Sequence, residues 1–445
     1  MPRARRSALL IATLIVLAAG VYVVPREFAQ APESRPPLQY TGPGSCSAAA
    51  CHGSIQPRTE TGVNQNEYSV WVAQDKHARA FSVLSSSLSQ HIARNLGLQE
   101  KAESAAQCLN CHALDVPATQ RAHTFDLTDG VSCESCHGPA AAWLGEHTSR
   151  NWRHDQSLAR GMYDTKDLLR RQEKCLSCHL GTAEKFVNHE MLAAGHPPLT
   201  FELDSYTAVM PRHWRTSEKD PWLDVRAWSV AQAVQLREAL AQLARRTRAA
   251  NWPEYSELDC YSCHHALTRP EDSWRQQSGY AGRRPGTPPW DGAQYAVLIL
   301  LLDEVNAEGA RQLDADLKQL GAQMNQLSPD REKVSALAGQ NVQLAGSLAQ
   351  QLNSYAYDSG VTLRLLRRIS SNATPLSNHG ERTAEQAVMA FNSLFIPYAR
   401  NQRPPNEAQL RELIDGLYRQ LASPSAYNPR RFADQLQRAK QLLPQ

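Results

Sequence analysis

Ten cysteines stand in five pairs between residues 46 and 263, and a histidine follows each pair at once. Four pairs read Cys-x-x-Cys-His: Cys108/Cys111/His112, Cys133/Cys136/His137, Cys175/Cys178/His179 and Cys260/Cys263/His264. The first has a four-residue gap, from Cys46 to Cys51, and then His52. Two thiols at this spacing add across the two vinyl groups on one edge of a haem, and the adjoining histidine lies under the iron as its proximal ligand. The pattern predicts five covalently attached c-type haems, with His52, His112, His137, His179 and His264 as proximal ligands. A disulfide scaffold would also use an even cysteine count, and a Cys-x-x-Cys can be half of a zinc site. Neither explains the histidine. With 15 histidines in 445 residues, five such neighbours arise by accident with a probability on the order of 10⁻⁷ or less. The four short motifs stand on their spacing, whereas Cys46/Cys51 takes its assignment from its place in the series.

Five irons need sixth ligands or must be left open. Methionines 162, 191, 210, 324 and 389 are few, which favours bis-histidine ligation and low potentials. The candidates are His77, His147, His189, His196 and His213, ahead of His123 and then of His91, His154, His265 and His379. His77 falls in an amphipathic helical stretch from Trp71 to Phe81. His147 follows a Gly138-Pro139 break and one turn that can carry it to the distal face of a different haem. His189 and His196 are seven residues apart, which predicts two turns of helix with both on one side, ended there by Gly195 and Pro197.

The run from Cys46 to Leu180 resembles the tetrahaem cytochrome c554 family, electron carriers that accept electrons from hydroxylamine oxidation. The resemblance rests on a first haem motif followed by His77-Ala78-Arg79-Ala80, then the motif at 108–112. Next comes Gly130-Val131-Ser132-Cys133-Glu134-Ser135-Cys136-His137-Gly138-Pro139 with His147 beyond, and last the motif at 175–179 with Leu180. Glu134 and the Gly-Pro are not needed for haem attachment, so they make it more specific. The resemblance implies distal roles for His77 and His147, an open face on the haem held by His112, and a mostly helical chain around stacked haems. The four-residue gap, the motif at 260–264 and the long C-terminal region depart from the family pattern.

The fold class expected is mainly α: a multihaem cytochrome c domain of short helices and loops around stacked haems, then an all-α domain of helical hairpins. Arg3, Arg5 and Arg6 precede a charge-free run from Ala8 to Val24, and Ala29-Gln30-Ala31 offers a cleavage site. Residues 1–31 therefore form a signal peptide or an N-terminal membrane anchor, and the remainder is exported to the periplasm, soluble or anchored. Residues 32–42 are a Pro-rich tether, 43–290 the pentahaem domain, and 291–445 the helical domain. Within the haem region one long helix is expected at 224–249, as a spacer between the fourth and fifth haems, and 268–291 reads as a loop boundary. The apolar run Ala296–Leu302 is a buried helix face. Five to seven helices are expected after residue 290, with Asn406 and Asn428 as N-caps. That region either docks a partner or covers haems, or it is a structural cap.

The formal charge of +3 includes Arg3, Arg5, Arg6 and Arg26 against Glu27. The rest of the chain is thus near neutral and haem propionates would make it acidic, which excludes a nucleic-acid partner. Electron transfer between redox proteins, or to and from a membrane quinol-linked complex, is the leading expectation. The alternative is a haem enzyme, a reductase or oxidase of a small nitrogen or sulfur species. It would use an open iron at His112, with Arg121, His123 and Asp126 as nearby acid–base or cationic groups; the bland account of those three is a solvated loop.

Overall fold

The computed structural model describes residues 38–215, 220–260, 263–264, 289–422 and 427–445. It is 63% helix, without a strand among the described residues. Residues 39–445 make one compact unit, and only Leu38 of the separate unit 1–38 is described. The run Ala8–Val24 lies outside the described residues, as do most of the tether, His265 and nearly all of 268–291. No helix among the described residues is long and apolar enough to cross a membrane.

The first half is built of short helices: α1 (Glu67–Gln74), α2 (Ser87–Asn95), α3 (Ala106–His112), α4 (Cys133–His137), α5 (His154–Ala159), α6 (Leu168–His179), α7 (His189–Ala194) and α8 (Leu203–Val209). Local chemistry ends each early. The stretch expected as one helix from Trp71 to Phe81 divides at Asp75, which is extended at φ −78°, ψ 131° and whose carboxylate accepts the His77 N–H at 3.0 Å. That cap stops α1 and starts a 3₁₀ turn over Lys76–Arg79. Gly138 ends α4 at φ +78°, and a Cβ there would lie 2.6 Å from the Gly161 carbonyl oxygen, so no other residue fits.

The end of the expected tether is pinned. Tyr40 N–H donates to the Gln120 carbonyl and Ala122 N–H to the Tyr40 carbonyl, at 2.8 and 2.9 Å. The Glu134 carboxylate, only 2% exposed, accepts backbone N–H groups from Thr41 at 2.9 Å and from Gly42 and Ala140 at 2.7 Å each. A buried carboxylate is tolerated because three donors replace its water. It fastens the approach to the first motif onto the third.

The long helix appears as α9 (Leu223–Arg246), ending three residues before Ala249. Val225, Trp228, Leu236, Leu240 and Leu243 are buried, and so are Val230 and Val234 on the other side. An apolar helix on all sides is a core helix, so α9 is more than a spacer. It packs against α6, and then against α10 (Ala293–Val305), α12 (Arg331–Ser354) and α15 (Glu381–Gln402). The remaining helices are α11 (Ala307–Met324), α13 (Ser359–Ser371), α14 (Ala373–Asn378), α16 (Glu407–Gln420) and α17 (Pro429–Leu442). Eight helices therefore follow residue 290 among the described residues, rather than five to seven. Asn306 breaks the run between α10 and α11 and caps the latter, and the short α14 adds another. Asn428 caps α17 through Arg431 N–H, but Asn406 makes no cap bond; its side-chain amide donates to the Leu442 carbonyl instead.

One apolar cluster runs from Leu168 in α6 through α9 to Leu443. At about 1.5–3 kcal/mol per fully buried large apolar side chain, α9 alone contributes on the order of 10 kcal/mol. The helix carrying the fourth motif is thereby held against the C-terminal helices.

Candidate haem-binding site

Three motifs close helices. In α3, α4 and α6 the first cysteine, the second at i+3 and the histidine at i+4 share a helix face, and histidine is the last helical residue. At the fifth motif the Cys263 and His264 N–H groups both donate to the Cys260 carbonyl, at 3.1 and 2.8 Å, which closes the same turn. At the first, His52 N–H donates to the Cys46 carbonyl at 3.2 Å. The two extra residues of the long gap are looped out by a turn, in which Cys51 N–H donates to the Ala48 carbonyl at 2.8 Å. All ten cysteines are free thiols, so the disulfide scaffold fails.

Imidazole rings from distant parts of the chain face each other beside these motifs. His52 and His147 have ring centres 6.2 Å apart and planes within 6° of parallel. His77 meets His179 at 6.2 Å and 87°, His112 meets His196 at 6.5 Å and 79°, and His264 meets His189 at 6.4 Å and 34°. Two imidazole nitrogens bonded to one metal at about 2 Å each, and each about 1.1 Å from its ring centre, put the centres about 6.2 Å apart. The separations fit a metal between each pair. Burial first, and then the charges of His213 and His52, lower the pKa of His137, which puts both rings in its neighbourhood. No group of three or more His, Cys, Asp or Glu side chains suited to a metal ion occurs among the described residues. A metal between such a pair would draw two imidazole nitrogens from the chain and would need its other donors from a group such as a porphyrin, which differs from a zinc-site donor set.

In six of these histidines Nδ1 has a partner, which would leave Nε2 for a metal. His112, His147 and His196 donate from Nδ1 to the carbonyls of Ala80 (2.9 Å), Trp143 (3.1 Å) and Pro197 (2.7 Å). His213 Nδ1 lies 3.3 Å from the Pro211 carbonyl. His52 and His77 instead meet carboxylates, Glu67 at 2.8 Å and Asp75 at 2.9 Å. These hydrogen bonds raise the pKa of His52 and His77. Burial lowers His137 and His179 to about 4 and also lowers His112. The last three rings are therefore neutral at pH 7, the state in which imidazole binds a metal.

Buried polar atoms without partners also fit a carboxylate-bearing cofactor. Trp143 Nε1, whose ring stands edge-on to His147 at 5.4 Å, Arg171 Nε and the Gln172 amide nitrogen are orphaned. Such donors are normally satisfied, and Arg171 sits one turn before Cys175.

The thiols show how the motifs adjoin. Cys46 hydrogen-bonds Cys133, and Cys111 hydrogen-bonds Cys178. Cys136 feels the charge of Cys178, and Cys175 that of Cys136. The first motif thus adjoins the third, the third the fourth, and the fourth the second. Lys185 Nζ donates to the Asn110 carbonyl at 2.8 Å and to Cys178 Sγ at 3.2 Å. Contact with Cys111, and then Lys185, lowers the Cys178 thiol to about 5, while burial pushes Cys136 up to about 11 and Cys175 to about 12.

The structure adds three things to the spacing. First, Cys260 and Cys263 are exposed, whereas the other eight cysteines are half-buried. Spacing alone treats Cys263 like Cys178, because it reads the turn and not what covers it. Second, His196 stands against His112, on which the resemblance implied an open face. Third, His189 and His196 do not share one side of a helix: α7 ends at Ala194, Gly195 adopts φ +112°, and the two rings turn to different partners.

The loop at 121–126 is structural in its contacts. Arg121 pairs with Asp115 at 3.0 Å and covers Phe125, Asp126 caps Thr128, and His123 is exposed. His154 pairs with Asp164 at 3.1 Å and His91 is exposed, while His379 lies in the turn after α14. Glu67, Asp75 and Lys185 escape sequence reasoning. The one signal was an acid two residues before a histidine, in Asp75-Lys76-His77.

Helical scaffold, cysteine–histidine motifs and facing imidazoles together define the site of a haem protein. Residues 46–138 match the family described as cytochrome c554 and c-prime. Over that span the chain is similar to this family, which points to a haem-binding c-type cytochrome of the electron-transfer class. The match takes in the first three motifs and His77 and covers about a fifth of the chain. No curated protein and no solved structure matches the chain.

Proposed function

We propose that this chain is an exported five-haem c-type cytochrome that transfers electrons between periplasmic or membrane redox partners. Its axial pairs are His52/His147, His112/His196, His137/His213, His179/His77 and His264/His189, with the ten cysteines making the thioethers. The observation that carries the proposal is the ring spacing: four pairs, each joining residues far apart in sequence, stand 6.2–6.5 Å apart. Bound haem supplies one-electron iron chemistry. The chain fixes ring orientation through Nδ1, buries His137 and His179 away from water, and brings motifs together in the order first, third, fourth, second. α7 extends that order, since His189 at its start faces His264 and His196 just past its end faces His112. Redox proteins or a membrane quinol-linked complex are the partners proposed, and residues 1–31 the export signal or anchor. The enzymatic alternative needs an exchangeable coordination position, and the place of His196 favours the carrier.

Haem quantification against protein mass tests this. Five haems per chain with a low-spin spectrum, unchanged by carbon monoxide or nitrite, is the expected result. Four per chain would remove one attachment site, and mass spectrometry of the haem peptides would tell Cys46/Cys51 from Cys260/Cys263. A high-spin ferric signal in the wild type would favour the enzyme.

A further inference from the structure

Ring hydrogen bonds set two of the histidine pairs apart, because one ring in each meets a carboxylate. His52 Nδ1 lies 2.8 Å from Glu67 Oε2, and Glu67 Oε1 is held by the N–H groups of Asn64 and Gln65 at 2.8 and 3.2 Å. His77 Nδ1 lies 2.9 Å from Asp75 Oδ1, and Asp75 is only 3% exposed. Glu67 is fixed from a second direction, and Asp75 is buried and also accepts the His77 backbone N–H at 3.0 Å. His112 and His196 both donate to neutral carbonyls, and His213 has a carbonyl neighbour. A carboxylate that accepts the ring N–H draws its proton outward and makes the other nitrogen a stronger donor, which stabilises the ferric state.

We propose that Glu67 and Asp75 are potential-setting residues that make the His52/His147 and His77/His179 sites lower in potential than the His112/His196 site. The inference rests on the axial pairs assigned above. Along the motif order proposed above, carboxylate-backed sites occupy the first and third places and carbonyl-backed sites the second and fourth. The potential therefore alternates along the path. The two carboxylate sites hold electrons least well and pass them to their neighbours.

EPR-monitored potentiometry on the full holoprotein separates the sites, because ring angle sets the splitting of the iron d orbitals. The near-parallel His52/His147 pair gives the most rhombic low-spin signal, and the near-perpendicular His77/His179 and His112/His196 pairs give the most anisotropic ones. In the wild type the rhombic signal is expected to titrate among the lowest potentials. Glu67→Gln keeps an acceptor oxygen and should raise that signal's reduction equilibrium constant at least tenfold, about 59 mV for one electron. Asp75→Asn should move one anisotropic signal by a similar factor and leave the other in place. Unshifted potentials in both variants, with five low-spin haems retained, would overturn the proposal, as would a wild-type rhombic signal at the top of the range. Absence of a rhombic low-spin signal from the wild type would overturn the axial assignment itself, a distinct failure that takes this proposal with it. The wild-type ordering needs no variant to fold.

Discussion

Removing the Glu134 carboxylate should free the strand-like approach to the first motif without dislodging the haems. The carboxylate accepts three backbone N–H groups at 2.7–2.9 Å, from Thr41, Gly42 and Ala140, in a site 2% exposed. A hydrogen bond to a charged group contributes about 1.5–3 kcal/mol. Each 1.4 kcal/mol is tenfold in an equilibrium, so Glu134→Ala should speed amide exchange of Thr41 and Gly42 by roughly 10–100-fold. Glu134→Gln keeps one acceptor oxygen but loses the charge and should fall between. Tyr40 remains bridged to Gln120 and Ala122, and Thr124 Oγ1 still donates to the Thr41 carbonyl at 2.7 Å, so the opening should stay local. Hydrogen-exchange mass spectrometry on a peptide spanning 39–45 of the holoprotein reads this directly. Exchange within about threefold of the wild type, with the Soret band unchanged, would refute the reasoning, because a lost buried acceptor cannot leave its donors equally protected.

Two further substitutions and a pH series bear on the site and the core. His147→Ala should leave five haems attached but turn one high-spin, and an unchanged spectrum would reject its place opposite His52. His196→Ala should open the iron at His112 and create a carbon monoxide-sensitive haem; no new sensitivity would mean that another residue holds that position. The Glu381 carboxyl is pushed up to about 7, first by burial and then by the negative charge of Glu385. Its folded value is raised, so the stability tied to its neutral form is complete below the unfolded value of about 4.5 and is lost as pH rises through about 7. The thermal midpoint should fall across that window and Glu381→Gln should flatten the fall; an equal slope in both proteins would count against it.

The helical class and the attachment motifs were legible in the chain, because both depend on short-range spacing. A cysteine, a second at i+3 and a histidine at i+4 meet on one helix face wherever that helix lies. The apolar faces of Ala296–Leu302 and of α9 were legible for the same reason, since periodicity is local. Helix ends were less so: Asp75 and Gly195 each stop a helix earlier than the pattern suggested, through one cap bond and one left-handed residue. The exposure of Cys260 and Cys263 was not legible either, because cover is a tertiary property. The carboxylates behind His52 and His77 were hidden. Glu67 is fifteen residues from His52, and nothing in the spacing marks it.

Composition and local spacing decide which residues can attach haem, since covalent chemistry at Cys-x-x-Cys-His needs only one turn of chain. Tertiary structure alone decides which histidines face one another. His52 and His147 come together across the Glu134 clamp, which locks the first motif to the third. His112 meets His196 because Gly195 turns that ring away from the side of His189. Ring pairing is a long-range contact fixed by buried helices and caps, and it is this pairing that sets His196 against His112, where the motif resemblance implied an open face.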